Sequence, residues 1–177
     1  MIIAPDGKSL YVLNTDDTLT LYNRDIISGA LIPLPVAKMP IPNGSFSVVI
    51  SPDGGSVYVS AESITDGSTI SVFNRSSSTG ALTAQQKIAT YVGGNLSISP
   101  DGGELFAITN KIVNFQYSGC LIETWGRNHD GSLVELNANA RISTDSGACE
   151  NLILSGDGKS VYASNFESGM TLMYRRD

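Results

Sequence analysis

The stretch Ser-Pro-Asp-Gly-Gly-Ser-Val-Tyr-Val-Ser at residues 51–60 decides the fold, because it recurs along the chain. It combines a Pro-Asp-Gly turn with a short strand of alternating apolar side chains. Copies of the turn lie at residues 4–7, 99–102 and 155–158, and each precedes a similar strand. The intervals of 47, 48 and 56 residues between the turns indicate tandem structural repeats.

Each repeat continues with a third strand that ends in an arginine, and a Gly turn then leads to a fourth strand in the first three repeats. The second strand is apolar on both faces, with Val57 and Val59 on one face and Tyr58 on the other. A sheet of this kind has to be covered on both faces, and the blades of a β-propeller cover one another in this way. The sequence therefore predicts an all-β propeller of about four blades, each of four antiparallel strands.

We expect a single propeller domain over residues 1–177, with blades at approximately 1–42, 43–92, 93–146 and 147–177. The last blade lacks its fourth strand, which gives 15 strands in total. Three arrangements stay open at this point. The chain is part of a longer propeller, two copies pair into an eight-bladed ring, or four blades close by themselves.

The composition excludes some classes of partner. The net charge is −6 and no Lys/Arg cluster is present, which argues against nucleic acid and against an anionic membrane surface. No apolar run approaches the roughly 18 residues that a membrane span requires. The first residues do not have the pattern of a signal peptide, and this does not decide the location of the protein.

The repeat also resembles a known family. Ser-Pro-Asp-Gly-x-x-Val-Tyr-Val, followed by Thr-Ile-Ser-Val-Phe-Asn-Arg at 69–75 and Thr-Gly-Ala-Leu-Thr at 79–83, is similar to the YVTN-type repeat of the lactonase-like propellers. That group includes relatives of 6-phosphogluconolactonase, and the resemblance covers essentially the whole chain. Such relatives often carry a histidine just before the first strand of a blade. The matching positions here are Phe46, Gly94 and Glu150, of which only Glu150 is ionisable.

Residues that recur in every repeat are expected to be structural, and residues that break the repeat are candidates for function. We take Glu150 as the candidate general base, because it lies where the first strand of the fourth blade begins. The ligand-binding candidates are Asp17, Asn95, Lys111 and Asn151, whose polar side chains could orient a ligand. Lys111 belongs to a predicted loop at 110–119, which also contains Phe115 and Tyr117.

The two cysteines, Cys120 and Cys149, are predicted to lie on the same face of adjacent blades. A disulfide between them is one interpretation, and two free thiols are the other. A bridge would favour an extracellular or periplasmic location, with a cytoplasmic one staying open. His129, the one histidine, is expected in an exposed turn on the opposite face. We expect no metal and no cofactor.

Two functions remain open at the level of sequence. The first is a non-enzymatic propeller module outside the cytoplasm, which binds a protein or a carbohydrate-like ligand, or assembles with itself or with the remainder of a longer propeller. The second is part or half of a metal-independent lactonase-like hydrolase. The dominance of structural repeat residues favours the first function.

Overall fold

The computed structural model describes residues 1–62, 67–90, 94–113, 116–136, 142–143, 149–165, 168–169 and 171–176. Within these ranges, the side chains of 36–37, 109–113, 116–118, 142–143 and 172 are not described. The described residues form strands and the turns between them. No helix among them has the length and apolar character needed to cross a membrane.

The strands form four antiparallel sheets, in which each strand except β13 (Ile142–Ser143) pairs with its neighbour in sequence. The first sheet contains β1 (Ile2–Ile3), β2 (Ser9–Leu13), β3 (Thr18–Arg24) and β4 (Leu31–Pro40), and the second contains β5 (Ser45–Ile50), β6 (Ser56–Ala61), β7 (Ser68–Arg75) and β8 (Leu82–Thr90). The third contains β9 (Leu96–Ile98), β10 (Glu104–Val113), β11 (Gln116–Arg127), β12 (Leu133–Glu135) and β13 (Ile142–Ser143), and the fourth contains β14 (Cys149–Leu154), β15 (Ser160–Asn165) and β16 (Thr171–Arg175).

The predicted fold class is confirmed, and the strand count differs in one sheet. The described residues form 16 strands rather than 15, because the fourth strand of the third sheet is in two pieces. Both pieces, β12 and β13, pair with β11. The third sheet therefore has five strands, and the fourth has three.

The loop predicted at residues 110–119 is wrong, because strand pairing continues through most of it. β10 and β11 pair as far as Val113 opposite Gln116, with a shift of register between Asn110 and Ile112. β-branched and aromatic residues are frequent in this segment, and such residues favour extended backbone. Phe115 lies outside the described residues.

The outermost strand of the first sheet carries three prolines, Pro33, Pro35 and Pro40. Proline has no amide hydrogen, so it is tolerated at the edge of a sheet and disfavoured inside one. The free edge of β4 therefore offers few donors to an approaching strand, which limits edge-to-edge aggregation.

The apolar core lies between successive sheets. One cluster joins the first and second sheets around Tyr11, Leu21 and Val57. Similar clusters join the second sheet to the third and the third to the fourth. The first strands of neighbouring sheets also contact one another, β1 with β5, β5 with β9 and β9 with β14. Sheets packed face to face, with their first strands innermost, are the blades of a propeller.

A buried arginine joins the first two sheets. Arg75, at the end of β7, donates from Nη2 to the carboxylate of Asp6 (2.8 Å) and to the hydroxyl of Ser9 (3.0 Å), and from Nε to the hydroxyl of Tyr11 (2.7 Å). Tyr11 in turn donates to the carbonyl of Gly80 in the second sheet (2.8 Å). We call this set of contacts between an arginine and the Asp, Ser and Tyr of the preceding sheet the arginine lock.

The same lock joins the second and third sheets. Arg127 contacts Asp53 (2.8 Å), Ser56 (3.2 Å) and the hydroxyl of Tyr58 (2.8 Å). Tyr58 donates to the carbonyl of Gly131 (2.9 Å). Burial raises the pKa of Tyr58, so its hydroxyl keeps the proton that it donates.

The lock changes between the third and fourth sheets. Phe106 replaces the tyrosine, and Nε of Arg176 instead binds the carboxylate of Glu104 at 2.6 Å. The contact with the turn aspartate is kept, at 2.9 Å from Arg176 Nη2 to Asp101. The Ser99 hydroxyl, the Gly103 amide and Arg176 together hold the pKa of Asp101 at about 2.

We predict that Tyr58→Phe lowers the free energy of unfolding by about 1–3 kcal/mol, because it leaves a buried carbonyl and a buried guanidinium N–H without a partner. The measurement is urea unfolding followed by the fluorescence of Trp125. The control is Tyr174→Phe, whose hydroxyl binds none of the described residues, with an expected loss below about 0.5 kcal/mol. Equal losses in the two variants would show that the tyrosine is not part of the lock.

Candidate functional site

Polar side chains collect where the innermost strands of the second, third and fourth sheets begin. They are Ser47 on β5, Asn95 immediately before β9, and Glu150 and Asn151 on β14. These four residues, which we call the polar arc, lie on neighbouring strands because β5, β9 and β14 contact one another in that order. The arc thus lies at the innermost part of three successive blades.

Bulges set the direction of two side chains at this level. The pairing of β5 with β6 shifts between Ser45 and Ser47, and the pairing of β14 with β15 shifts between Cys149 and Asn151. The residues left unpaired are Phe46 and Glu150, and both are exposed. A bulge inserts one extra residue and redirects its side chain. Glu150 is therefore presented to solvent rather than packed into the sheet.

Hydrogen bonds connect the arc across the sheets. The amide of Leu96 donates to the hydroxyl of Ser47 (3.1 Å), which joins the second and third sheets. The side-chain amide of Asn95 donates to the backbone carbonyl of Glu150, and its distance to Oδ1 of Asn151 is 3.4 Å. Asn95 thereby contacts the backbone of Glu150 and the side chain of Asn151.

A disulfide also restrains the start of β14, the segment that contains Glu150. Cys120 on β11 and Cys149 on β14 are bonded, with 5.7 Å between their Cα atoms, which confirms the predicted bridge. Both are buried in the cluster between the third and fourth sheets. Since Cys149 immediately precedes Glu150, the covalent bond and the Asn95 contact together restrict where the Glu150 carboxylate can lie.

One of the predicted site residues, Asp17, does not join this group. Asp17 is a turn residue with a φ of 56°, and its carboxylate accepts a hydrogen bond from the amide of Gly44 (3.1 Å). Its contacts connect the first sheet to the start of the second and do not reach Asn95. Lys111 lies on β10 where the register shifts, and its side chain is outside the described residues.

The side chains of the polar arc have the donors and acceptors that form hydrogen bonds with hydroxyl groups. Two side-chain amides supply both donors and acceptors, and one carboxylate supplies strong acceptors. In the part of the chain that the structure describes, no group of three or more His, Cys, Asp or Glu is placed to hold a metal ion. His129 is exposed in the turn between β11 and β12 and does not contact the arc.

The structure also contains a carboxylate that sequence reasoning missed. Glu123 on β11 is only 6% exposed and lines a cavity of about 110 Å³ between the second and third sheets, together with Gln86, Trp125 and Glu135. The earlier repeats have Thr20 and Ser71 at the position of Glu123. The glutamate at this position breaks the repeat, and this break is the sequence signal that could have identified Glu123 as a candidate.

A larger cleft is apolar. It has a volume of about 640 Å³ and lies on the outer part of the first and second sheets, where Leu34, Met39 and Leu82 line it. Its lining is mostly aliphatic, so it offers packing surface and few groups that could do chemistry.

Comparison with known proteins supports the fold. The chain forms about four blades of a β-propeller, and its structure resembles lactonase-like propellers. A candidate 6-phosphogluconolactonase from Bacteroides fragilis matches with a TM-score of 0.79 and 20% identity over 99% of this chain, and one from Bacteroides uniformis matches with 0.77 and 19% over 99%. The β-propeller domain of Cps50 (Swd1) from Myceliophteria thermophila matches with 0.69 and 16% over 99%.

The extent of these matches limits what they imply. The chain spans about half the length of the solved structures it matches, with 49% of both Bacteroides proteins and 53% of the Cps50 domain covered. At these identities the likeness concerns the fold alone. No protein-family model and no curated protein sequence matches the chain.

We predict that removing the disulfide with a Cys120→Ala, Cys149→Ala double variant lowers the free energy of unfolding by about 3–4 kcal/mol. The bond closes a chain segment with a sequence separation of 29, and its loss increases the entropy of the unfolded state. Urea unfolding of the two proteins measures the difference. The wild type treated with a reductant should match the double variant, and a reductant effect on the double variant itself would point to a cause other than this bond.

Proposed function

We propose that this chain is a ligand-binding β-propeller module, and that its polar arc binds a hydroxyl-rich ligand. The observation that carries the proposal is the geometry around Glu150. A bulge exposes its side chain, the neighbouring disulfide restricts its backbone, and Asn95 binds its carbonyl. A site held in one arrangement before the ligand arrives loses less entropy on binding.

The residue types in the arc fit this class of ligand. Side-chain amides, which donate and accept, and carboxylates, which accept, form hydrogen bonds with the paired hydroxyls of sugars and sugar acids. Ser47, Asn95 and Asn151 occupy the same position in successive repeats, and all three are polar residues that can donate and accept hydrogen bonds.

We also propose that the module works outside the cytoplasm. The support is the Cys120–Cys149 bond, since disulfides persist in oxidising compartments and are rare where glutathione keeps thiols reduced. Both cysteines are buried, so the bond has a structural role in the core between the third and fourth sheets.

We predict that D-gluconate or methyl glucoside binds to the wild-type protein, measured by saturation-transfer NMR titration. The double variant Asn95→Ala, Asn151→Ala should bind about 30-fold more weakly, because two hydrogen bonds of about 1 kcal/mol each are lost. The matched control is Asn128→Ala, an exposed asparagine in the turn between β11 and β12, which should leave binding unchanged. Binding that survives the double variant would move the site away from the arc.

A second function has a specific observation in its favour. The fold resembles candidate 6-phosphogluconolactonases, and Glu150 is an exposed carboxylate at the innermost strand. In a lactonase-like hydrolase, Glu150 would take a proton from a water molecule as that water attacks the carbonyl carbon of the lactone. The ring C–O bond would then break, and the ring oxygen would take the proton from Glu150 and leave as a hydroxyl, which restores the Glu150 carboxylate.

The hydrolase can be tested with 6-phosphogluconolactone and δ-valerolactone in a pH-stat, relative to hydrolysis without protein. If the chain is a hydrolase, Glu150→Gln should lower kcat by about 100-fold or more, which is the contribution of a general base. Glu62→Gln, at an exposed position following β6, is the control and should keep full activity. Absence of activity in the wild type would remove the hydrolase, and activity that Glu150→Gln leaves intact would remove Glu150 from the mechanism.

A further inference from the structure

The arginine lock has an acceptor side and a donor side, and the complete lock occurs at the two boundaries among the first three sheets. The acceptor side is an Asp, a Ser and a Tyr at fixed spacing, as in Asp6, Ser9 and Tyr11. The donor side is the arginine of the next sheet, Arg75 in this case. The second and third sheets repeat the pattern with the same atoms, so the contacts depend on the repeat and not on one local sequence.

The fourth sheet carries a complete acceptor side. Asp157, Ser160 and Tyr162 follow the same spacing as in the first and second sheets. Oδ1 of Asp157 accepts bonds from Ser155 and from the amide of Lys159, as the corresponding oxygens of Asp53 and Asp101 do in the second and third sheets. Its Oδ2 is the oxygen that binds arginine in those sheets, and it binds no arginine among the described residues.

The first sheet carries the donor side. Arg24 ends β3, and its Nη1 donates to the carbonyl of Gly7 at 3.2 Å. Arg75 and Arg176 make the same bond to the Gly of their own sheet, at 3.2 and 3.3 Å. The guanidinium of Arg24 is therefore held as in the other locks, and within the described chain it has no carboxylate partner.

Apolar rows accompany both sides. On the fourth sheet, Ile153, Tyr162 and Met173 lie opposite one another across the three strands, and Ile153 and Met173 are each 65% exposed. The equivalent row on the second sheet ends with Tyr58 and Val72, which are fully buried by the third sheet. The exposed row thus has the chemistry of a surface that another blade covers.

The outer face of the first sheet has the matching row. Ile3, Leu10 and Tyr22 lie opposite one another; Ile3 is 51% exposed, and Leu10 in the middle of the row is buried. In the second sheet, the same positions are occupied by Val57 and Phe73, which pack against the first sheet. The outer face of the fourth sheet and the outer face of the first sheet therefore correspond to the two kinds of face that pack against each other between sheets inside the chain.

We propose that two copies of this chain bind each other head to tail through these faces. The fourth sheet of each copy covers the first sheet of the other, and Arg24 of the partner subunit forms the lock with Asp157, Ser160 and Tyr162. A contact between two different faces repeats around a closed ring, so a pair of copies buries both kinds of face twice. The result is a ring of eight blades, which lies within the usual range for propellers.

Sedimentation velocity on the intact chain tests the pair. The wild type should sediment as a species of twice the 18.7 kDa of one chain. Arg24→Ala and Asp157→Asn should each weaken association by about tenfold to a hundredfold, because each removes hydrogen bonds to a charged group from both contacts of the ring. Lys38→Ala, which removes the same charge from an exposed ion pair with Asp16, is the control and should associate like the wild type.

A mixing experiment distinguishes this contact from a defect in folding. In an equimolar mixture of Arg24→Ala and Asp157→Asn, a mixed pair contains one copy of each variant. One of its two contacts then has both Arg24 and Asp157, and the other contact has neither. Native mass spectrometry should therefore show more mixed pairs than pairs of either variant alone. Three results would overturn the proposal. The first is a monomeric wild type, and the second is association of both variants as strong as that of Lys38→Ala. The third is a mixture without an excess of mixed pairs.

Discussion

Burial of a guanidinium between two sheets is the interaction on which the arrangement of this molecule depends. The side chain of Arg75 is 1% exposed, and it satisfies hydrogen-bonding groups in the preceding sheet while its Nη1 donates to the carbonyl of Gly54 in its own sheet. A buried charge is costly unless it is paired and hydrogen-bonded. Because only one relative position of the sheets supplies all of these partners, the lock determines how neighbouring blades pack as well as adding stability.

Apolar packing alone would leave that position less defined. The faces of adjacent sheets carry Val, Ile, Leu and aromatic side chains, and contacts between such surfaces are non-directional. The lock adds direction at one end of each interface, and the bonds from Asn95 and to Ser47 add it at the innermost strands. Polar contacts at both levels fix the register of surfaces that could otherwise slide.

The sequence predicts the units of this fold well and the contacts between them poorly. The Asp-Gly turns and alternating strands are local, so the sheets and the structural role of Arg75 and Arg127 follow from the repeat. The bond between each arginine and its tyrosine joins residues that are 64 or 69 positions apart in the sequence. The repeat pattern alone does not show that these residues are in contact. The bulge at Glu150 does not follow from the sequence either, because it depends on how strands pair, whereas Glu123 is marked in the sequence as a break in the repeat. The hairpin at Lys111 was mistaken for a loop since its length departs from the other repeats.

The disulfide lies at the boundary where the lock is altered, since Cys120 belongs to the third sheet and Cys149 to the fourth. There Phe106 stands in place of the bridging tyrosine, and a covalent bond joins the same two sheets. This has a mechanical consequence. A chain pulled from its two ends cannot extend the segment of 29 positions between the cysteines while the bond is intact, and that segment corresponds to about 100 Å of contour length. The oxidation state of one bond therefore sets how far the unfolded protein can be stretched.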